Sequence, residues 1–492
     1  MTTVLMKWLK MKAATKPGIF FLTFFSFVFF HFGRKSFAAM KGELSAENWM
    51  ETSLYSKDDQ AKMFGLIDTV FMLTYAGGLY ASGVIGDRYD LRKMITIGML
   101  STSAILLCFG IGGFAGLHSF WFYLILWALN GITQASGFPS NVAVMGNWFS
   151  RKERGAIFGI WGGNSSLGNV LGAAFVALMF SLFEKSIAWK IAMVAMALII
   201  ATYAMLIFVF LVPDPKSPLT RHLITDDIKL GSPGSDDEHL VPSSAKPGIS
   251  FWKAWLIPGV IFYALAFACL KTVNYTLFSW LPFYLNNSLG MDNAKAASYS
   301  MLYDVGQILG GCIGGYISDK GGARSPVIAV MLLLSCITIH FFPQATKVTI
   351  IFLLLAAGIL IGGPTCLITT AVSADLGLHE SIRNDALALA TVTGIIDGSG
   401  SLGAALSQYL IGYLSDCHHV PSGCHPKDPG CKHVCHWDPV FILLQIAPIL
   451  ACLCLTQLVY REIRTLHSRP EEKRVFRSAF ARVFCRNREN IA

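Results

Sequence analysis

Long apolar runs follow one another along this chain, and they constrain its fold more than any other feature. An α-helix needs about 20 apolar residues to cross a hydrocarbon core of about 30 Å. About twelve such runs occur, near residues 18–40, 62–84, 94–116, 119–146, 154–182, 188–212, 254–285, 296–318, 325–343, 348–374, 385–415 and 438–460. Only 14% of the residues are charged, against about 25% in a typical soluble protein. The chain is therefore predicted to be an all-α polytopic membrane protein with twelve transmembrane helices.

The two ends of the chain carry its net charge of +9. Residues 1–17 contain four lysines and no acid, and residues 461–492 contain nine basic and four acidic residues. Basic residues are enriched in the cytosolic segments of membrane proteins, and an even number of spans places both ends on one side. We therefore expect both termini to be cytosolic, and we expect no nucleic-acid partner.

One long polar stretch, 213–250, separates the sixth run from the seventh. It is rich in Ser, Pro and Asp and predicts a flexible cytosolic linker, because such a composition cannot bury a core. The predicted organisation is a tail over 1–17, a six-helix bundle over 18–212, the linker over 213–250, a second six-helix bundle over 251–460 and a basic tail over 461–492.

The two halves of the chain contain the same short motif, GVIGDRYDLRK from Gly83 and GYISDKGGARS from Gly315. Both copies fall in the cytosolic loop after the second span of a half. An acid, a base and an arginine follow the glycine at matching distances: Asp87, Arg88 and Arg92 in the first copy, and Asp319, Lys320 and Arg324 in the second. We interpret the acid–arginine pattern as a latch between cytosolic helix ends; an ordinary charged loop is the alternative.

Among the charged residues inside predicted spans, where a charge costs roughly 2.5–3.5 kcal/mol on insertion scales, five suggest a function. Lys271 is near the centre of its run, and Asp304 and Asp397 lie inside the eighth and eleventh runs. Arg34 and Lys35 lie toward the end of the first run, where one of them could instead extend to the interface.

These charges suggest an anion site between the two halves. Arg34 and Lys271 belong to the first helix of opposite halves, so we expect them to face each other across a central cavity. A planar guanidinium and a compact ammonium suit a doubly charged tetrahedral oxyanion. Lys35 and Asp304 are expected to form an ion pair, because either charge alone would be too costly. Asp397 either joins this group of paired charges or braces its Gly/Ser-rich helix.

The pattern that begins at Gly83 resembles the signature loop of the major facilitator superfamily. This resemblance implies two six-helix bundles related by a two-fold axis along the membrane normal, with the substrate site near the midplane. Within the superfamily, RKSF (34–37), GGPTCLITTAVSADLG (362–377) and LATVTGIIDGSGSLGAAL (389–406) resemble the organophosphate:phosphate antiporters, and the last two strings are similar to the animal sugar phosphate exchangers. The resemblance implies that Arg34 binds phosphate and that Lys35 and Asp304 exchange ion-pair partners during transport.

The chain departs from the bacterial pattern of this family at three polar positions. The second phosphate-binding arginine of that pattern falls on Asn274, one helical turn after Lys271. The lysine of the second span falls on Leu79, and the histidine of the fifth span falls on Ser165. These departures leave anion binding in place and open the choice between a sugar phosphate and a bulkier or more highly charged phosphonate or phosphate ester.

The last non-cytosolic loop, 417–436, is rich in cysteine and histidine. Two disulfides are the favoured interpretation in an oxidising lumen. A zinc site is the alternative, although no pair of these cysteines has the C-x-x-C spacing. The four cysteines are Cys417, Cys424, Cys431 and Cys435.

Two other polar residues have alternative interpretations. Asn286 begins a glycosylation sequon in a predicted non-cytosolic loop, but it lies close to the membrane. His31 precedes Arg34 by about one turn, where it either tunes a bound anion or is an ordinary hydrogen-bonded core histidine.

The sequence thus predicts an alternating-access exchanger of phosphorylated organic anions and inorganic phosphate in an internal membrane, either the endoplasmic reticulum or the lysosome. It contains no recognisable nucleotide-binding loop, catalytic triad or metal-ligand helix, so we expect neither enzyme activity nor a cofactor. One alternative is a lysosomal exporter of phosphonate-like anions that is not coupled to phosphate. Another is a non-transporting scaffold for a partner protein, and an accessory membrane glycoprotein is a candidate partner.

Overall fold

The computed structural model of the protein describes most of the chain. The described residues are 11–47, 49–53, 60–86, 88–149, 154–215, 249–377, 388–415, 417–418, 434–435 and 437–468. Most of the predicted linker, the distal part of both tails and most of the loop 417–436 lie outside these residues.

Helices make up nearly all of the described structure. In chain order they are α1 (Lys16–Ala46), α2 (Gln60–Gly86), α3 (Leu91–Phe114), α4 (Phe120–Gln134), α5 (Gly137–Trp148), α6 (Arg154–Trp161), α7 (Asn164–Leu182), α8 (Lys185–Phe210), α9 (Phe251–Trp255), α10 (Val260–Asn287), α11 (Asn293–Gly321), α12 (Ser325–His340), α13 (Thr349–Leu367), α14 (Ser373–Leu376), α15 (Leu389–Leu414) and α16 (Asp438–Ser468). A π-helical turn, Ile368–Val372, joins α13 to α14. Two-residue strands, β1 (Cys417–His418) and β2 (Val434–Cys435), pair antiparallel with Cys417 opposite Cys435.

Each predicted apolar run overlaps a helix or a pair of consecutive helices. The fourth span consists of α4 and α5, and the fifth consists of α6 and α7, which separate at Gly162 and Gly163. The adjacent glycines explain that second break, because glycine is a poor helix former in a helix interior. Sequence periodicity alone does not reveal such interruptions, so each of these two spans was predicted as one continuous run.

Nine helical segments in the described part of the chain are long and apolar enough to cross a membrane. The other predicted spans fall short for separate reasons. The fourth is broken between α4 and α5, and α12 has only 16 residues. The helix α11 has 29 residues but contains many glycines together with Asp304 and Gln307, which lower its mean hydropathy.

The two halves of the chain contact each other along several helices. The helix α2 packs against α15, α7 against α11, and α1 against α10. In each pair, one helix precedes the linker in the sequence and the other follows it. The charged residues of α1, α10, α11 and α15 therefore meet at the surface between the two halves. The candidate site lies there.

Candidate functional site

A central cavity lies between the two halves. Its lining is aromatic and polar, and it draws on both halves of the chain. The lining residues are Phe27, His31, Tyr75, Phe138, Ser165, Asn169, Phe267, Lys271, Asn274, Tyr275, Phe278, Gln307, Thr365, Thr369 and Asp397. The chain departs from the bacterial pattern at Ser165 and Asn274, and Lys271 lies one turn before the second of these positions. All three residues line this cavity.

Arg34 lines a second, smaller cavity, which shares Phe278 with the central one. It is almost completely buried, with 2% of its surface exposed. Its Nε donates to Gln134 Oε1 at 2.9 Å, and its Nη1 donates to the Tyr275 hydroxyl at 2.6 Å. The guanidinium carbon is 4.4 Å from the ring centroid of Tyr75 and 5.2 Å from that of Phe71. Aromatic faces stabilise a cation without neutralising it, so the positive charge remains available to a ligand.

The second terminal nitrogen of Arg34, Nη2, is buried and has no hydrogen-bond partner. Within the described residues, no carboxylate is within ion-pair distance of this guanidinium. An unsatisfied buried donor on a charged group is costly, and in a native structure it requires an explanation, of which a bound ion is one. Arg34 is therefore the strongest candidate for an anion contact.

Lys271, in the second half of the chain, also lies beside Tyr75 and Tyr275, two of the aromatic residues that contact Arg34. Its Nζ is 5.4 Å from the ring centroid of Tyr75 and 5.0 Å from that of Tyr275. Arg34 and Lys271 thus share the Tyr75 ring between them, and their joint role in anion binding stays a prediction. Lys271, however, is already neutralised, because its Nζ is 2.6 Å from Asp397 Oδ1 and 2.7 Å from Ser401 Oγ.

The glycine- and serine-rich sequence of α15 makes this pair possible. A Cβ atom on Gly400 would lie 2.8 Å from Cδ of Lys271, so only glycine lets the lysine side chain pass close to the helix. Ser401 then supplies a hydroxyl one turn after Asp397. The sequence did not predict Lys271 as the partner of Asp397, and the choice between a gating role and a bracing role for Asp397 stays a prediction.

A second buried pair joins Lys35 to Asp304 across the two halves. Their charged atoms, Nζ and Oδ2, are 3.6 Å apart, and both side chains are fully buried. Asn169 donates to Asp304 Oδ1 at 2.8 Å, and its own carbonyl oxygen is 2.9 Å from Nδ1 of His31. The predicted contact of Lys35 with Asp304 is present, and His31 is a hydrogen-bonded core histidine that also faces the cavity.

A third buried pair, Lys41 with Asp68, was not expected from the sequence. Lys41 contacts the Asp68 carboxylate, and neither group is appreciably exposed. The first predicted run ends at residue 40, so Lys41 falls just outside it and does not count as a charge within a span. Asp68 lies well inside the second run and was the signal that could have revealed the pair.

The repeated cytosolic motif forms different contacts from those predicted. Arg324 lies 3.2 Å from Asp375, and no ion pair of the exposed Asp319 is recorded in the described part of the chain. Arg92 is 3.8 Å from Asp90, the residue that caps α3. Helix geometry explains the difference: the chain turns at Gly322, in a left-handed conformation, and carries Arg324 away from Asp319 toward the end of the tenth span.

The other members of the motif are placed at the ends of helices. Gly83 lies in α2, Arg88 is exposed in the following turn, and Lys320 stacks on Tyr316 with its Nζ 4.4 Å from the ring centroid. Asp87 lies outside the described residues. The latch role of the motif stays a prediction.

The predicted modification sites are only partly described. The amide of Asn286 donates to the Met291 carbonyl at 2.7 Å and the residue is half-buried, so a glycan there would have to break this bond. Cys417 and Cys435 lie opposite each other in the β1–β2 ladder. Cys424 and Cys431 lie outside the described residues, and the choice between disulfides and zinc stays a prediction.

Comparison with known proteins gives a consistent picture. The profile described as Major Facilitator Superfamily matches residues 19–389 and 302–489. The glucose-6-phosphate exchanger SLC37A2 of Danio rerio is 35% identical over 91% of this chain and 92% of its own. Sugar phosphate exchanger 3 of Mus musculus is 38% identical over 81% of this chain and 87% of its own.

Solved structures are similar in fold. A D-xylose–proton symporter matches with a TM-score of 0.60 at 12% identity, over 88% of this chain and 96% of that one. A bacterial homologue of the human lysosomal transporter Spinster matches with a TM-score of 0.56 at 15% identity, over 81% and 82% of the two chains.

Proposed function

The chain belongs to the Major Facilitator Superfamily, and from that premise we propose that it exchanges phosphorylated organic anions for inorganic phosphate by alternating access. The all-α polytopic fold predicted from the sequence is confirmed by this membership and by the similar structures. Relatives of the chain are exchangers of sugar phosphates by name and are not enzymes.

The observation that carries the proposal is the buried, incompletely bonded guanidinium of Arg34. Each of the three buried lysines in the centre has an aspartate partner, whereas Arg34 has neutral acceptors and an unsatisfied Nη2. A phosphate oxygen can accept from Nη2 and supply the missing charge, and guanidinium–phosphate bonds are about twice as strong as neutral hydrogen bonds. Arg34 is thus the primary phosphate contact.

Lys271 contributes from the second half, but a phosphate must compete for it. In this structure the Lys271 ammonium, which the phosphate would contact, is already paired with Asp397. We propose that the anion shares Lys271 with Asp397 or displaces it, and that this competition links binding to movement of α10 against α15. The cavity also offers neutral hydrogen-bonding groups at Asn274, Gln307 and Thr365, which suit the hydroxyl groups of an organic phosphate.

We further propose that the protein is in an internal membrane, the endoplasmic reticulum or the lysosome, with both termini cytosolic. The support is the positive charge of the two tails. The proposed units are the two bundles, 18–212 and 251–460, joined by the linker 213–250. An accessory membrane glycoprotein remains a predicted partner.

The direct test is phosphate exchange in proteoliposomes that contain the purified protein. We expect Arg34→Ala to lower the exchange rate at subsaturating phosphate by at least about tenfold, since one hydrogen bond to a charged group contributes about 1.5–3 kcal/mol. Lys271→Ala is expected to act in the same direction. Lys93→Ala, which removes an exposed base at the start of α3, serves as the control and should leave exchange unchanged. Wild-type rates in both cavity variants, at equal protein level, would exclude this site.

Coupling to phosphate is tested in the same vesicles. An exchanger takes up labelled organic phosphate only when the vesicles contain phosphate on the inside. Equal uptake with and without internal phosphate would instead identify the uncoupled exporter. A protein with no flux of any phosphate ester would be a scaffold.

A further inference from the structure

The helix α10 contains a proline, Pro282, at the level where α1 crosses it. Proline has no backbone N–H, so the carbonyl four residues earlier has no partner within the helix. That carbonyl belongs to Phe278, which is buried between the two halves. Inside a membrane a carbonyl freed in this way is normally satisfied by a neighbouring group.

The group that satisfies the Phe278 carbonyl is the ammonium of Lys35. Its Nζ donates to Phe278 O at 3.0 Å, while Asp304 Oδ2 lies 3.6 Å away. Lys35 belongs to the first half, and both of its acceptors belong to the second. The carbonyl is the nearer acceptor, so this bond is a main part of what holds Lys35 in place.

Lys41, almost two turns further along α1, makes a related contact to a carbonyl that the proline does not free, because Phe283, four residues after Ser279, keeps its N–H. Its Nζ contacts Asp68 and also donates to the Ser279 carbonyl of α10 at 3.2 Å. Each lysine therefore pairs with one aspartate and donates to one main-chain carbonyl of α10. The two carbonyls belong to adjacent residues, Phe278 and Ser279. Both lie beyond Arg34 in the direction of Ala46, which is the non-cytosolic end of α1 in the orientation proposed above.

We propose that Pro282 is a positioning residue for the anion site. Its missing N–H keeps the Phe278 carbonyl available to Lys35, and the resulting bond holds α1 against α10 and closes the non-cytosolic side of the site. Opening toward that side requires this bond to break. This inference rests on the proposed exchange function and on the proposed orientation of the chain.

The test is Pro282→Ala, which restores the N–H and lets the helix satisfy Phe278 O internally. A carbonyl oxygen has two lone pairs, so the restored N–H competes with Lys35 for Phe278 O and weakens their bond without removing the acceptor. The bond is weakened only in the conformation that is closed on the non-cytosolic side, so the opposite conformation becomes more populated. The half-saturation constant for phosphate depends on the population of the binding-competent conformation on each face. We expect this constant to fall on the non-cytosolic face and rise on the cytosolic face of oriented proteoliposomes. Their ratio should change by a few-fold and by no more than about tenfold, which is the effect of losing one charged hydrogen bond completely.

Pro448 provides a matched control, because it too is buried inside a helix, α16. Its missing N–H frees Leu444 O, and in the described part of the chain no charged side chain donates to that carbonyl. Pro448→Ala should leave the ratio of the two constants unchanged. If Pro282→Ala is poorly recovered, Pro282→Gly restores the same N–H and is expected to give the same opposite shifts.

The outcomes separate this inference from the proposed function. Unchanged constants in Pro282→Ala, parallel changes on both faces, or the same changes in Pro448→Ala would overturn the role of Pro282 while exchange by the unmodified protein stands. A merely structural defect would lower the maximal rate without moving the two constants in opposite directions. An unmodified protein that does not exchange phosphate would overturn the proposed function and this inference together.

Discussion

At the scale of single residues, the buried charges of this protein divide into two kinds. Lys35, Lys41 and Lys271 each have an aspartate partner, whereas Arg34 has aromatic faces and neutral acceptors. A buried ion pair contributes little net stability, but removing one partner leaves a costly uncompensated charge. The lysines therefore make the interior of the protein sensitive to single substitutions, and Arg34 makes it receptive to an anion.

The Lys271–Asp397 pair predicts an unusual effect of phosphate on stability. Asp397→Asn leaves Lys271 without its carboxylate, so we expect the ligand-free protein to unfold at a lower temperature than wild type. Phosphate should then raise the melting temperature of the variant more than that of wild type, because it replaces the missing negative charge. Thermal unfolding of the purified protein with and without phosphate measures this difference. An equal phosphate effect in both proteins would show that the anion does not reach Lys271.

The Lys41–Asp68 pair predicts a loss of stability that a second substitution repairs. Asp68→Asn leaves the Lys41 ammonium buried without a counter-charge, and breaking such a pair costs about 3–5 kcal/mol. The double variant Lys41→Met, Asp68→Leu contains no buried charge at either position and is expected to recover most of that loss. Thermal unfolding of the single and double variants measures both the loss of stability and its recovery.

A surface pair provides the control for that series. Lys185 and Asp292 lie 3.3 Å apart, but both side chains are about half exposed, and such pairs contribute little. Lys185→Ala should leave the melting temperature nearly unchanged. A comparable loss in Lys185→Ala and Asp68→Asn would contradict the distinction between buried and exposed pairs.

At the scale of helices, the repeated glycines have unequal surroundings. Gly83 of α2 and Gly394 of α15 face each other across the halves, where an added Cβ would lie 2.9 Å from Ala390 O and 2.7 Å from Leu79 O, respectively. Gly83 corresponds to Gly315 in the repeated motif, and Gly394 (GIIDGSGSLG) corresponds to Gly159 (GIWGGNSSLG) in a second short repeat. Gly315 and Gly159 have open space at the position of an added Cβ. The sequence repeat is therefore not matched by equal packing, and only α2 and α15 are in backbone contact at these glycines.

This inequality predicts opposite outcomes for equivalent substitutions. Gly83→Ala forces α2 away from the backbone of α15 and is expected to reduce phosphate exchange by about tenfold, within the range that overpacking by about 1–3 kcal/mol produces. Gly315→Ala places a methyl group in open space and should leave exchange close to wild type. Exchange rates at matched protein levels in proteoliposomes test both, and similar losses in the two variants would mean that the helices also close at Gly315.

At the scale of the whole molecule, the sequence predicted the helical membrane fold well because lipid imposes a length and a composition on every span. It also predicted the Lys35–Asp304 contact, since two opposite charges in apolar runs have few alternatives to each other. It did not predict Tyr75 and Tyr275 around Arg34, because aromatic residues in an apolar run carry no signal of which neighbour they contact. The breaks within the fourth and fifth spans were missed for a related reason, since apolarity does not change across them.

The contacts between the halves lead to a final prediction. Several buried connections cross the boundary, among them those from Arg34 to Tyr275, from Lys35 to Asp304 and from Lys41 to Ser279, in addition to the packing of α2 on α15. Since a Ser-, Pro- and Asp-rich linker is predicted to be flexible, residues 1–230 and 231–492 expressed as two chains should associate in the membrane. A tag on one half should recover the other, and the pair should exchange phosphate. Halves carrying Asp304→Ala should associate less, because Lys35 then lacks its partner across the boundary. Failure of the unmodified halves to associate would show that the chain connection itself is needed to bring the two bundles together.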